Sequence, residues 1–255
     1  MICQITLERD YPLVTYGLII CCALISVPTW INPLLRFVFG ASLQPDFFWQ
    51  PFTAPFEHGG PYLGLSTHFV LNMLALWYCG SVVESMLGHW RTLFPAILSV
   101  AVYVGLLWFV LKWRADGASI FIWSYAPLVL AALIITYRQK YWGVLQNSNF
   151  ILGCLVLIAM WVIPTVVFST NAIRAGDTDS ILEAVVYHAN AFHIAPTIIG
   201  SVLAFLWWQD IQTGMQKSPE LQVQDKVALA VVAILILSLG TLMVLTLTNK
   251  IQIPT

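Results

Sequence analysis

Long apolar stretches without charged residues divide the chain. Seven of them are each long enough to span a bilayer as a helix, which needs roughly 20 apolar residues. They cover 11–35, 58–83, 92–111, 117–137, 141–173, 184–209 and 227–249. Backbone polar groups in lipid need internal partners, and helices provide them. The pattern therefore predicts an all-α polytopic membrane protein with seven spans.

The polar breaks between these stretches suggest how the chain is organised. We predict a core over 11–208 and a seventh transmembrane helix over 227–249, joined by a polar linker over 209–226. Residues 1–10 and 250–255 form short tails. Within the core, residues 32–65 are rich in proline, which excludes a regular helix, and in Phe and Trp, which favour the membrane interface. We expect this first loop to lie on or partly in the bilayer.

Composition excludes some classes of protein and leaves the orientation open. The chain is 59% apolar and 9% charged, with a net charge of −1, and it has no basic run of the kind a nucleic-acid-binding protein uses. Most of the five cysteines lie in apolar stretches, so we expect no disulfide framework, metal site or cofactor. The first span lacks a signal peptide's basic start and cleavage site and is expected to be retained. Lys and Arg divide almost evenly between the two sides.

Two groups of polar residues lie within or at the end of the second span. Such residues are costly in a membrane and are candidates for functional sites. His68 and Asn72 are four residues apart and share a helical face, although hydrogen bonding between packed helices is an alternative role. Glu84 ends the span beside Gly80 and Gly88, where a carboxylate at the membrane interface is the alternative.

Two further polar residues open later spans. Ser119 follows Gly117-Ala118 at the start of the fourth span, where a serine more often caps a helix. His193 opens the sixth span, and the small residues that follow it, including Gly200, permit close helix packing.

Depth in the membrane connects these residues. Even-numbered spans all begin on the same side, so His68, Asn72, Ser119 and His193 should lie at similar depth. Together they offer a nucleophile, a general base and hydrogen-bond donors, which are the parts that acyl transfer requires.

At these residues the sequence resembles the rhomboid intramembrane serine proteases. Three stretches are similar to family motifs: His68–Gly88, Gly117–Pro127 and Ala189–Gly200. The resemblance runs from about Trp49 to Trp208. It implies a rhomboid-like six-helix bundle followed by one further transmembrane helix.

The resemblance also implies roles for individual residues. Ser119 would be the nucleophile and His193 its base, with no acidic third member, while His68 and Asn72 would line the oxyanion hole. Structural support would come from Gly117, Glu84, Gly80, Gly200 and Trp49. The site would face the extracytoplasmic side, with the N-terminus inside. The expected substrates are transmembrane proteins within the lipid bilayer, and the expected location is a bacterial plasma membrane.

The sequence departs from the family pattern at several positions. Ile120 and Pro196 replace glycines on the fourth and sixth spans, and we expect the two changes to compensate for each other. Gln50 replaces an arginine in the first loop, and Leu63 replaces a histidine, with His58 the nearest one upstream. The leading interpretation is an intramembrane serine endopeptidase. A rhomboid-like pseudoprotease that binds transmembrane clients, and an unrelated transporter or channel, are the alternatives.

Overall fold

The computed structural model describes residues 11–40, 47–58, 65–105, 117–137, 189–215 and 222–248, which contain helices and no strand. In chain order the helices are α1 (Leu13–Ile31), α2 (Arg36–Phe39), α3 (Gln50–Thr53), α4 (Leu65–Val102), α5 (Ser119–Tyr137), α6 (Ala189–Leu206), α7 (Trp208–Gly214) and α8 (Val223–Leu247). The predicted fifth span and both tails lie outside the described residues, as does Leu63.

Several of these helices can cross a membrane. Of the described helices, α1, α4 and α8 are long and apolar enough, and α6 with α7 would make a fourth span if the pair, bent by 73°, counts as one. The apolar part of α5 covers Ser119–Ile135 and is shorter. These features confirm the prediction of an all-α polytopic membrane protein.

Helix α4 contains the predicted second span and much of the third. The sequence separates these two stretches by the charged segment 84–91, but the structure breaks the helix only at Gly88, with φ 83° and ψ 174°. Glycine tolerates this conformation because it has no Cβ. Just after the break, the backbone N–H of Trp90 donates to Asp225 of α8 at 2.8 Å. A side chain of the last helix therefore satisfies a backbone group that the break leaves free.

Glu84 fastens the start of α1 to α4. Its buried carboxylate accepts hydrogen bonds from the backbone N–H groups of Val14 at 2.8 Å and Thr15 at 2.9 Å, and from the Thr15 hydroxyl at 2.7 Å. His89 Nδ1 lies 2.5 Å from the same carboxylate. One turn earlier, a Cβ built on Gly80 would lie 2.7 Å from Thr15 Oγ1. Glu84 is thus a buried cap for the first turn of α1.

The segment predicted as a polar linker differs in the structure. Helix α7 occupies 208–214, and α8 starts at Val223, four residues before the predicted start. Arg91 forms a 3.2 Å ion pair with Asp210 of α7, and Ile211 of α7 is buried. A seven-residue helix has too few turns to show a periodic pattern of apolar residues in the sequence. Helix α7 is therefore recognised only from its tertiary contacts in the structure.

Helix α8 packs against α1 and α4 along one face. The buried residues of that face are Asp225, Ala228, Val232, Leu239, Met243 and Thr246. They recur three, four or seven residues apart, which is the spacing of a single helical face.

The first loop contains short helices that carry its prolines in their first turns, such as Pro51 in α3. Three side chains near α3 donate to carbonyl groups at the end of α2. Trp49 Nε1 donates to Val38 at 3.0 Å, Thr53 Oγ1 donates to Phe39 at 2.7 Å, and the Gln50 amide donates to Phe37. The loop thereby caps carbonyls that a helix end leaves free. Gln50 donates here although the family pattern has an arginine at this position.

Candidate active site

The turn before Ser119 is held by the first loop. Gly117 adopts a φ of 112°, which favours glycine, and its N–H donates to the Ala54 carbonyl at 3.1 Å. The next N–H, of Ala118, donates to His58 Nε2 at 3.0 Å. Helix α5 then begins at Ser119, so two successive backbone groups ahead of this residue are bound to the first loop.

Ser119 and Ser124 lie in different surroundings. Ser119 is half-buried, and within the described part of the chain its hydroxyl makes no hydrogen bond. Ser124 is fully buried, and its hydroxyl donates to the Phe121 carbonyl at 2.7 Å. Of the two, Ser119 has the hydroxyl that is free to react.

His68 and Asn72 lie beside this turn on α4. A Cβ built on Gly117 would lie 3.3 Å from His68 Cε1. Asn72 is buried, and its Nδ2 donates to the His68 carbonyl at 3.0 Å, which leaves one amide N–H unused. Its Oδ1 is buried and has no hydrogen-bond partner in the part of the chain that the structure describes. The His68 ring thus adjoins the turn that carries Ser119.

His193 packs against α5 from α6. Its ring stacks on Trp123, one turn after Ser119, with ring centroids 5.2 Å apart and 31° between planes. The Nδ1 atom of His193 is buried and has no hydrogen-bond partner among the described residues. No hydrogen bond joins His193 to Ser119 in the structure. Such bonds are often long in unliganded active sites and shorten when substrate binds.

Gly200 marks the closest approach of α5 and α6. A Cβ there would lie 2.9 Å from the Ser124 carbonyl carbon and 3.0 Å from Pro127 Cδ. Contacts between the two helices advance together along both, from Trp123 with His193 to Pro127 with Gly200. The helices therefore run in the same direction, and the starts that carry Ser119 and His193 lie at the same end.

The crossing lies one turn beyond Ile120 and Pro196, both of which are buried. Their expected mutual compensation stays a prediction.

His58 is a second buried histidine beside the site. Its pKa is lowered from the ordinary 6.5 to about 3, chiefly because burial disfavours the charged ring and also because His68 lies nearby. Its Nε2 accepts the Ala118 N–H, so its proton is on Nδ1, which lies 3.2 Å from the Phe56 carbonyl and 3.2 Å from Ser26 Oγ. His58 is therefore neutral, and its tautomer is fixed by its partners.

The structure separates the predicted site residues into two groups. His68 lies beside Gly117, just before Ser119, and Asn72 lies one turn later on α4. His193 and Gly200 pack against α5 further along, at Trp123 and at Ser124 to Pro127. Glu84 follows His68 by sixteen residues on the same helix, about 24 Å away at 1.5 Å per residue, and Gly80 lies one turn nearer. Trp49 lies in the first loop, where it caps α2.

Two residues around the site had no role in the sequence prediction. Trp123 follows Ser119 by four residues, the spacing of one helical face, and this signal could have indicated it. For His58 the only signal was a histidine ten residues before His68. Among the residues described, no group of three or more His, Cys, Asp or Glu side chains could hold a metal ion.

Fold and site together define an integral membrane protein in which a free serine and a histidine lie on two closely packed helices. The family model of the rhomboid domain matches residues 45–210, about two thirds of the chain. The chain belongs to the rhomboid family, whose members are generally intramembrane serine proteases acting on transmembrane substrates. The matched region includes every candidate site residue and ends before α8. A comparison with curated proteins gives no match.

Proposed function

We propose that the protein is an intramembrane serine endopeptidase that cleaves a peptide bond in or near the transmembrane segment of its substrate. Ser119 is the nucleophile, and His193 is the base. His68 and Asn72 stabilise the oxyanion. The proposal includes a bacterial plasma membrane as the location, an inside N-terminus, and a six-span core followed by α8 as the seventh span.

The Nδ1 atom of His193, which is buried without a hydrogen-bond partner among the described residues, carries this proposal. A buried polar atom without a hydrogen bond is costly, and nearly all such atoms in folded proteins have partners. A structural histidine in this position would bond a neighbouring helix. A general base instead needs a nitrogen that is free to take a proton. Stacking on Trp123 supports the base role, because it fixes the ring on the helix that begins with Ser119.

The proposed reaction proceeds through Ser119 and His193. A substrate helix must unwind locally, because its carbonyls are engaged in its own hydrogen bonds. Ser119 Oγ attacks the exposed carbonyl carbon as its proton passes to His193. The negative oxygen is held by His68 and by the unused N–H of Asn72. His193 gives the proton to the departing amine, and water, activated by the same ring, hydrolyses the acyl-enzyme.

Fluorophosphonate labelling in proteoliposomes tests this assignment. Wild type should label, Ser119→Ala and His193→Ala should not, and the matched control Ser124→Ala should retain labelling. Labelling that persists in Ser119→Ala and is lost in Ser124→Ala would overturn the choice of nucleophile.

A pseudoprotease that binds transmembrane clients is the second candidate. The missing hydrogen bond between Ser119 and His193 favours it, together with the buried Ile120 next to the serine. Wild-type protein that never labels, but still co-purifies with a transmembrane client, would establish this function instead.

A further inference from the structure

We propose that His58 is a positioning residue that holds the turn before Ser119 by accepting the Ala118 N–H. The proposal rests on the proposed function for its effect on catalysis. The hydrogen bond itself can be tested without any activity.

His58 is fixed on every side. It is fully buried against Phe69, with ring centroids 5.3 Å apart, and against His68 at 5.6 Å. Its Nδ1 side faces the Phe56 carbonyl and Ser26 of α1. The ring therefore cannot turn to bond another group without leaving the buried Ala118 N–H unsatisfied.

The bond to Ala118 is placed where it affects the nucleophile. Ala118 directly precedes Ser119, and its carbonyl accepts the first hydrogen bond of α5, from the Phe121 N–H at 3.0 Å. Holding the Ala118 N–H fixes the plane of the peptide group just ahead of this helix start. Since the N–H groups of Gly117 and Ala118 are both bound to the first loop, that of Ser119 is the next backbone N–H along the chain and is not bound to this loop.

The same residue links three separate elements to the site. Ser26 lies on α1, Phe56 in the first loop and His68 on α4. A movement of any of these three residues would displace the His58 ring and, with it, the hydrogen bond to Ala118. The buried Nε2 atom of His58 thus couples the packing of the first loop to the orientation of Ser119.

The experiment compares three variants. His58→Gln keeps an acceptor and a donor, and His58→Leu fills similar space with neither. Thr53→Val is the matched control, because it removes a buried hydrogen bond of the same loop, to Phe39, and the hydrogen bonds of the Thr53 hydroxyl stay within this loop and the end of α2.

The first readout is hydrogen exchange of the Ala118 amide by NMR, after labelling glycine carbonyls with ¹³C and alanine amides with ¹⁵N. The sequence contains two Gly-Ala pairs, Gly40-Ala41 and Gly117-Ala118, so two signals appear, and Ala41→Ser removes the other. His58→Leu should raise exchange at Ala118 roughly tenfold, the scale of a lost buried hydrogen bond. His58→Gln and Thr53→Val should leave it unchanged. Unchanged exchange in His58→Leu overturns the proposal.

The second readout is cleavage of a transmembrane substrate, with thermal midpoints measured on the same samples. His58→Leu should lower kcat on the order of tenfold with KM unchanged, because a small misplacement of the nucleophile is costly. His58→Gln should restore kcat. If His58→Leu and Thr53→Val lower kcat only in proportion to their midpoints, His58 is merely structural. Wild type that neither cleaves nor labels refutes the proposed function, and the exchange data still decide the role of His58.

Discussion

The contact between Gly200 and α5 is so close that adding one methyl group at Gly200 should disrupt the packing of the two helices. In Gly200→Ala the new Cβ would lie 2.9 Å from the Ser124 carbonyl carbon, whereas favourable carbon contacts begin at about 3.5 Å. Helices α5 and α6 must therefore separate by about 0.6 Å or more. Backbone lies on the opposing side, so no flexible side chain can move away instead.

This separation acts on both stability and catalysis. Overpacking of this kind costs about 1–3 kcal/mol of unfolding free energy. Because Ser119 and His193 lie on the two separated helices, we expect kcat to fall by about 10- to 100-fold. The assays are thermal unfolding in detergent and cleavage of a transmembrane substrate in proteoliposomes.

Gly240→Ala is the control for this prediction. No atom lies within 4 Å of a Cβ built at Gly240 on α8, so the change should be neutral or slightly stabilising. Gly200→Ala with wild-type activity and midpoint would refute the reasoning, since it would mean that the helices do not meet at that distance.

Three further predictions concern other contacts. Glu84→Gln should lower the unfolding free energy by about 3 kcal/mol, because the buried carboxylate accepts several hydrogen bonds. Denaturant titration in detergent would measure this change. A loss smaller than that expected for one weak hydrogen bond would contradict the prediction. In a cysteine-free background, Gly17→Cys with Val232→Cys should form a disulfide on mild oxidation, since a Cβ at Gly17 would lie 3.6 Å from Val232 Cβ, close to the mean of about 3.8 Å for disulfides. Gel mobility shows the outcome, and free thiols after oxidation would mean that α8 does not pack on α1. Because the native pKa of His58 is about 3 against 6.5 when unfolded, the unfolded chain binds the proton first as pH falls. Its contribution to stability is therefore complete above pH 6.5 and is lost toward pH 3, at up to about 1.4 kcal/mol per pH unit. Unfolding of wild type minus His58→Gln against pH should show this slope, and parallel curves would contradict it.

The sequence predicted the all-α class because a long uncharged stretch in lipid can satisfy its own backbone hydrogen bonds by forming a helix. It also led to the expectation that Ser119, His68 and His193 lie at similar depth, since even-numbered spans all begin on the same side of the membrane. Both inferences depend on features repeated along the chain, which are readable without coordinates.

Other parts of the structure depend on single tertiary contacts. Nothing local distinguishes Glu84 as a buried cap from Glu84 at the membrane interface, because its partners lie about seventy residues earlier, on α1. Likewise α7 is too short for a periodic signal, and His58 acquires its role only from a backbone group sixty residues away.

The bond between Asp225 and Trp90 has a consequence for the order of assembly during synthesis. The two residues are 135 positions apart, so the Trp90 N–H leaves the ribosome long before its acceptor does. Throughout that interval the break in α4 has an unsatisfied backbone donor, and the face of α1 at Gly17 has no neighbour from α8. Insertion of α8 supplies both partners at once. Completion of the fold is thereby tied to translation of the last described helix.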